Sequence, residues 1–188
     1  AITNVLEPGV PKGEQSRGAL TRDFLLGNEG AEAYLAGIDN RRYSGYNLLL
    51  CDGREFWYQS NRDGGPRRLP AGVYAVSNHL LDTPWPKLVS ARRRFAEALP
   101  QLPECADFFA ILADDQIVTD EELPDTGVSR EWERLLSAIF VKSECYGTRA
   151  STVLFCDTSG NLQLEEHRFG VQGLPLGKAV FQERAGEH

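Results

Sequence analysis

Tyr46-Asn47-Leu48-Leu49-Leu50-Cys51, then Asp52-Gly53-Arg54, then Glu55-Phe56-Trp57-Tyr58-Gln59-Ser60 is the stretch that decides the fold. Two apolar and aromatic runs flank an Asp-Gly pair, and that pair between such runs is a strong short-range hairpin signal. The spacing predicts strands over 46–51 and 55–60. A further strand is expected over 73–77, after Pro70-Ala71-Gly72, so antiparallel pairing is the expected mode of this sheet. A closing hairpin is expected from 151–157 and 162–169, joined by Thr158-Ser159-Gly160-Asn161. Its first strand is rich in apolar and β-branched residues.

Helices fill the intervals. Residues 16–26 carry apolar side chains at helical spacing, with Ser16 as N-cap candidate and Gly27 as stop. Shorter helices are expected over 31–38 and 106–112. A longer one over 86–99 starts at Pro86, whose fixed φ suits a first turn. Another over 129–140 opens on Ser129, with Glu131 and Glu133 placed to complement the helix dipole. The result is an α+β chain.

The 188 residues, 41% of them hydrophobic, fit one domain with a sizeable core. With 20 Lys and Arg against 27 Asp and Glu, the formal net charge is −7. That balance argues against nucleic acid as partner, because non-specific phosphate binding draws on excess positive charge. No stretch approaches the roughly 20 apolar residues that span a bilayer, so a soluble, cytoplasmic protein is expected. Four irregularly spaced cysteines read as reduced thiols, not as a disulfide framework or a zinc site. Cys51 and Cys156 are expected to be buried in core strands, and Cys145 to be inert. Arg92-Arg93-Arg94 are read as a solvated helix face, and the acidic stretch 114–125 as a loop. The opening Ala1-Ile2-Thr3-Asn4-Val5 has the look of a strand cut short, so an incomplete N-terminus is expected.

Three further segments carry a family resemblance: Asn47-Leu48-Leu49-Leu50 with Ser60-Asn61-Arg62; Ser77-Asn78-His79-Leu80-Leu81-Asp82-Thr83-Pro84-Trp85-Pro86-Lys87; and Tyr146-Gly147-Thr148-Arg149-Ala150-Ser151-Thr152-Val153. With Ser16-Arg17-Gly18 and Asp23-Phe24-Leu25, they resemble the NRDE family, also called the transport and Golgi organisation protein 2 family, across almost the whole chain. The second segment is long and rare enough to be specific. Asn61-Arg62-Asp63 is not the motif that names the family, since Gly64 stands where Glu would be.

The resemblance implies a fold similar to the N-terminal nucleophile hydrolases, a four-layer sandwich of two antiparallel sheets between helices. It also implies an amide hydrolase whose nucleophilic cysteine lies upstream of this chain, leaving the chain alone inactive. In such enzymes a thiolate attacks the amide while its own α-amino group carries the proton, and an Asn donor stabilises the oxyanion. Asn78 and Arg149 match the positions expected to contribute, with Asn4 as a third supporting candidate. The alternatives are a turn role for Asn78 and an ordinary salt bridge for Arg149. His79, Asp82, Trp85 and Tyr146 are candidate ligand-binding residues, although Asp82 and Trp85 also suit a structural turn.

A second reading makes the protein a carrier of haem or of an acyl lipid, holding a small amphipathic molecule without turning it over. The hydrolase requires no cofactor; in the carrier, haem is the ligand. With no Met and only His79, His167 and His188 as imidazoles, axial ligation would fall to His79, a Cys or a Tyr. No metal site is expected, and the sequence sets no oligomeric state.

Overall fold

The computed structural model describes residues 1–185. Its contacts divide the chain into two compact units, Ala1–Val89 and the residues from Ser90 onward.

The first unit holds a four-stranded antiparallel sheet in the order β1-β2-β3-β4, formed by β1 (Ile2–Asn4), β2 (Tyr46–Cys51), β3 (Phe56–Ser60) and β4 (Arg67–Leu69). The Asp-Gly hairpin forms as expected, with Leu49 opposite Tyr58 and Cys51 opposite Phe56. Asp52 ties the turn by accepting from the N–H groups of Arg54 (3.1 Å) and Glu55 (3.0 Å). Tyr46, Leu48 and Leu50 alternate along β2, so one face of the strand is apolar. They join Trp57 and, from α1 (Gly18–Leu26) and α2 (Ala31–Ala36), Leu20, Ala31 and Leu35 in one buried cluster.

Two expectations are corrected here. Residues 73–77 are not a strand, because their polar groups are engaged outside any ladder. The Ala75 N–H donates to Asp82 Oδ1 at 2.8 Å and its carbonyl accepts from the Asp82 N–H at 2.7 Å. The place beside β3 is taken by β4, whose Arg67 pairs with Tyr58. Ser16 does not cap α1 with its side chain; Arg17 occupies the N-cap position, and only the Ser16 carbonyl takes part, accepting from Ala19 at 3.0 Å.

The second unit contains a three-stranded antiparallel sheet, β5 (Ala150–Cys156), β6 (Leu162–Phe169) and β7 (Pro175–Glu183), in that order. The expected closing hairpin is β5-β6; β7 was not foreseen. Before the sheet come α4 (Ala106–Leu112) and α5 (Arg130–Ser137), while α3 (Pro86–Ala98) begins in the first unit and ends in the second. Ser129 caps α5 by accepting from the Trp132 N–H. Glu131 and Glu133 both lie in its first turn, as expected; buried Glu133 in addition accepts from both the N–H (2.7 Å) and the hydroxyl (2.6 Å) of Thr126. The acidic stretch is spent on pairs, Asp114 with Arg94 and Asp115 with Lys142, each at 2.5 Å, and Asp120 with Arg134. Of the basic triplet, Arg93 pairs with Glu97 one helical turn on, at 2.8 Å.

The cysteine expectations invert. Cys51 and Cys156 are exposed, and Cys105 is the buried thiol. Cys156 shares the exposed side of β5 with Ala150, Thr152 and Leu154, an outcome of strand alternation that a purely apolar reading of the run misses. Burial, reinforced by the Glu165 charge, pushes the Cys105 thiol up and leaves it less able to ionise. No helix among the described residues is long and apolar enough to cross a membrane.

Candidate functional site

The segment Ser77-Asn78-His79-Leu80-Leu81-Asp82-Thr83-Pro84-Trp85 folds as a series of turns ahead of α3. Asp82 takes a left-handed backbone, φ 58°, a conformation that Asp tolerates better than most side chains. Its bonds to Ala75 close the loop, so the turn role expected of Asp82 is met. Thr83 donates its hydroxyl to the Leu80 carbonyl at 2.7 Å, and the Trp85 N–H reaches the Thr83 carbonyl at 2.7 Å.

This segment is fastened to β1 and β2. The Leu6 N–H donates to the Asn78 carbonyl at 2.8 Å, and the Thr3 hydroxyl to the Ser77 carbonyl at 2.8 Å. From within the sheet, Asn47 Nδ2 donates to the His79 carbonyl at 2.8 Å. Asn78 and Asn4 are brought together as a consequence: Asn78 Nδ2 donates to Asn4 Oδ1 at 2.9 Å and to the Asn4 carbonyl at 3.2 Å. Two of the three residues expected to support catalysis therefore form one amide pair.

His79 adjoins the pair. Its ring is exposed, its Nδ1 lies 2.9 Å from Thr83 Oγ1, and its centroid lies 5.7 Å from Trp85. The Lys87 ammonium sits 5.7 Å over the same indole, a cation–π contact. Tyr146 and Arg149 belong to the second unit. Tyr146 stands half exposed, edge-on to Trp132 at 5.4 Å. Exposed Arg149 precedes β5, and its carbonyl accepts from the Phe169 N–H at 2.9 Å. His167 is committed elsewhere, stacked on Phe109 at 3.8 Å with its Nε2 2.8 Å from Glu165. His188 lies outside the described residues. A cleft of about 220 Å³ lined by Arg94, Glu97, Asp107 and Ile111 contains none of the sequence-derived candidates.

The sequence profile of the family described as Transport and Golgi organisation 2 matches residues 1–170. The chain belongs to this family. A Transport and Golgi organization protein 2 homolog of Bos taurus is 33% identical over 187 residues, covering 88% of this chain and 66% of that protein. Homologs from Homo sapiens, at 30%, and Mus musculus, at 28%, match over 183 residues with the same shares covered. The chain thus spans 66% of the length of these relatives.

Sequence reasoning missed the groups that hold the segment carrying the amide pair: Thr3, Asn47 and Tyr58. The available signal was Asn47 itself, a residue depleted in strands standing between Tyr46 and three leucines. It is 1% exposed.

Proposed function

We propose that this chain is part of a C–N (amide) hydrolase of the N-terminal nucleophile type. Asn78 and Asn4 form the oxyanion-binding side of its site. The nucleophilic cysteine belongs to a part of the longer protein outside this chain. The observation that carries the reading is the Asn78–Asn4 contact of 2.9 Å on a segment whose three consecutive carbonyls, 77 to 79, are all hydrogen-bonded.

Attack on an amide carbonyl puts negative charge on its oxygen, and a neutral N–H held in advance stabilises that charge without reorganising. Asn78 Nδ2 has two hydrogens. One is held by Asn4 Oδ1, and the longer 3.2 Å bond to the Asn4 carbonyl is the one an oxyanion would replace. Removing one such donor costs about 2.7–4 kcal/mol of transition-state stabilisation in a characterised protease. Four free thiols support a reducing, cytoplasmic location.

The test is the intact mass of the full-length protein after exposure to a thiol-reactive acyl probe at neutral pH, with the labelled residue mapped. A single stoichiometric adduct on an N-terminal cysteine, formed about a hundredfold more slowly in Asn78→Ala, is the expected result. No adduct, or labelling of scattered thiols, overturns the reading.

His79 favours a second reading, a non-enzymatic carrier of haem or an acyl lipid. With Nδ1 turned to Thr83, the exposed ring keeps Nε2 for an axial bond, and Trp85 offers an aromatic neighbour. On this reading haem added to the full-length protein shifts the Soret band, and His79→Ala abolishes the shift. An unchanged shift removes His79 from the haem-binding role.

A further inference from the structure

We propose that Asn47 is a positioning residue: its side-chain amide, working with Thr3 and Tyr58, clamps the backbone on both sides of Asn78 to the sheet and so sets where Asn78 presents its own amide. The inference rests on the amide-hydrolase reading of Asn78 and adds to it the device that aims the donor.

Asn47 makes three hydrogen bonds in a desolvated position. Nδ2 donates to the His79 carbonyl at 2.8 Å and to Thr3 Oγ1 at 3.1 Å, while Oδ1 accepts from the Tyr58 hydroxyl at 2.8 Å. The chemistry of the partners fixes the amide's orientation. A carbonyl can only accept, so the His79 oxygen must face Nδ2. The Tyr58 hydroxyl accepts from the Leu81 N–H at 3.1 Å, which leaves its single proton for Oδ1. Thr3 receives from Asn47 and passes its own proton to the Ser77 carbonyl.

One amide group therefore reaches the carbonyls of residues 77 and 79, directly at one and through Thr3 at the other. Through Tyr58 it reaches the N–H of residue 81. The Asn78 carbonyl, between the two clamped carbonyls, is taken by Leu6. With the carbonyls of residues 77, 78 and 79 all engaged, the Asn78 side chain is held where it faces Asn4. A leucine at position 47 would continue the apolar strand but would remove the amide's bonds to the His79 carbonyl, Thr3 and Tyr58, and a desolvated polar group that loses its partner is costly. A local rule broken inside a well-formed strand, with every resulting polar group satisfied, marks a position shaped by a task beyond folding.

The experiment compares full-length wild type with Asn47→Asp, Tyr58→Phe and the core control Leu50→Ala, reading amide hydrogen exchange alongside acyl-probe kinetics. Asn47→Asp keeps the shape and the acceptor for Tyr58 but turns an oxygen toward the His79 carbonyl. Protection of the Leu6 and Leu81 amides is expected to fall at least about tenfold relative to the β2–β3 ladder amides. The maximal acylation rate should fall about tenfold, with the half-saturating probe concentration little changed. Tyr58→Phe should expose Leu81 and leave Leu6 protected. Leu50→Ala should lower protection across the sheet without changing these ratios. Leu6 and Leu81 tracking the ladder in Asn47→Asp, as they do in Leu50→Ala, would overturn the clamp. A wild-type protein that takes up no acyl group overturns the hydrolase reading alone, and the exchange ratios still decide the clamp.

Discussion

The two antiparallel sheets are held by different means. In the first, Tyr46 and Leu48 are 0% exposed and Tyr58 1%, whereas in the second Leu154 is 62% exposed and Phe181 56%. Leu154 stands opposite Leu164, and Leu164 opposite Phe181, so these residues form one cross-strand row. Cross-strand contacts of this kind contribute about 0.2–1 kcal/mol each, well below full burial of a leucine. The first sheet is thus fixed mainly by what it hides, while this row of the second is left to ladder and neighbour contacts. On the proposed hydrolase reading, a segment that holds an amide donor in place gains from hanging on the former, and residues 77–81 do so through Asn47.

The sharpest way to break this comparison is a pair of truncations. Leu48→Ala should cost about 2–5 kcal/mol, because a fully enclosed site loses both transfer energy and packing. Leu154→Ala should stay within about 0.5 kcal/mol, as exposed positions usually do. Urea unfolding of the full-length protein measures both. Equal losses would mean that the row on the second sheet is covered in solution.

Next in size is Glu133. This carboxylate is 4% exposed and holds the 126 loop through two bonds to Thr126. Glu133→Ala should cost about 1–3 kcal/mol by leaving the Thr126 N–H unsatisfied, and Glu133→Gln, which keeps an acceptor oxygen, should cost less. The urea midpoint separates the two. If the variants match, the second unit's fixed point is not this contact.

Much of the architecture was legible in the sequence because strong local signals agreed with the tertiary outcome. The 46–60 hairpin has an Asp-Gly turn between strand formers, and the 106–112 helix and the β6 strand follow their own patterning. What misled were segments whose backbone is satisfied by distant side chains: residues 73–77 read as β-like, yet Asp82 competes for their polar groups. Strand β7 escaped because Pro175 and Gly177 are poor strand residues and its pairing with β6 is tertiary. At the site, Asn4 and Asn78 were legible one by one. Their contact depends on β1 pairing with β2, across a separation of more than 40 residues, which no local window contains. Asn47 adjoins a leucine run, and a single sequence shows the residue and not its three partners.

The smallest expected effect sharpens the comparison through acid. In the first unit Asp52 is held below its ordinary pKa mainly by backbone N–H groups of Glu55, Arg54 and Ala31. In the second, Glu165 is held below its ordinary value of 4.5 first by the His167 ring and then by Lys178. In both cases the folded state binds the proton less readily than the unfolded chain. The stabilisation is therefore complete above the unfolded pKa and is lost as pH falls through the lowered one. Of these two, the Glu165 contribution is the one that depends chiefly on a side chain that can be removed. His167→Ala should flatten the decline of the urea midpoint below about pH 4.5 without abolishing it, because Asp52 keeps its backbone donors and Asp115 and Asp120 keep their Lys142 and Arg134 partners. A decline as steep as in wild type would show that His167 does not set the proton affinity of Glu165. A decline that vanished would show that the backbone-held carboxylate of the first unit contributes nothing to acid sensitivity.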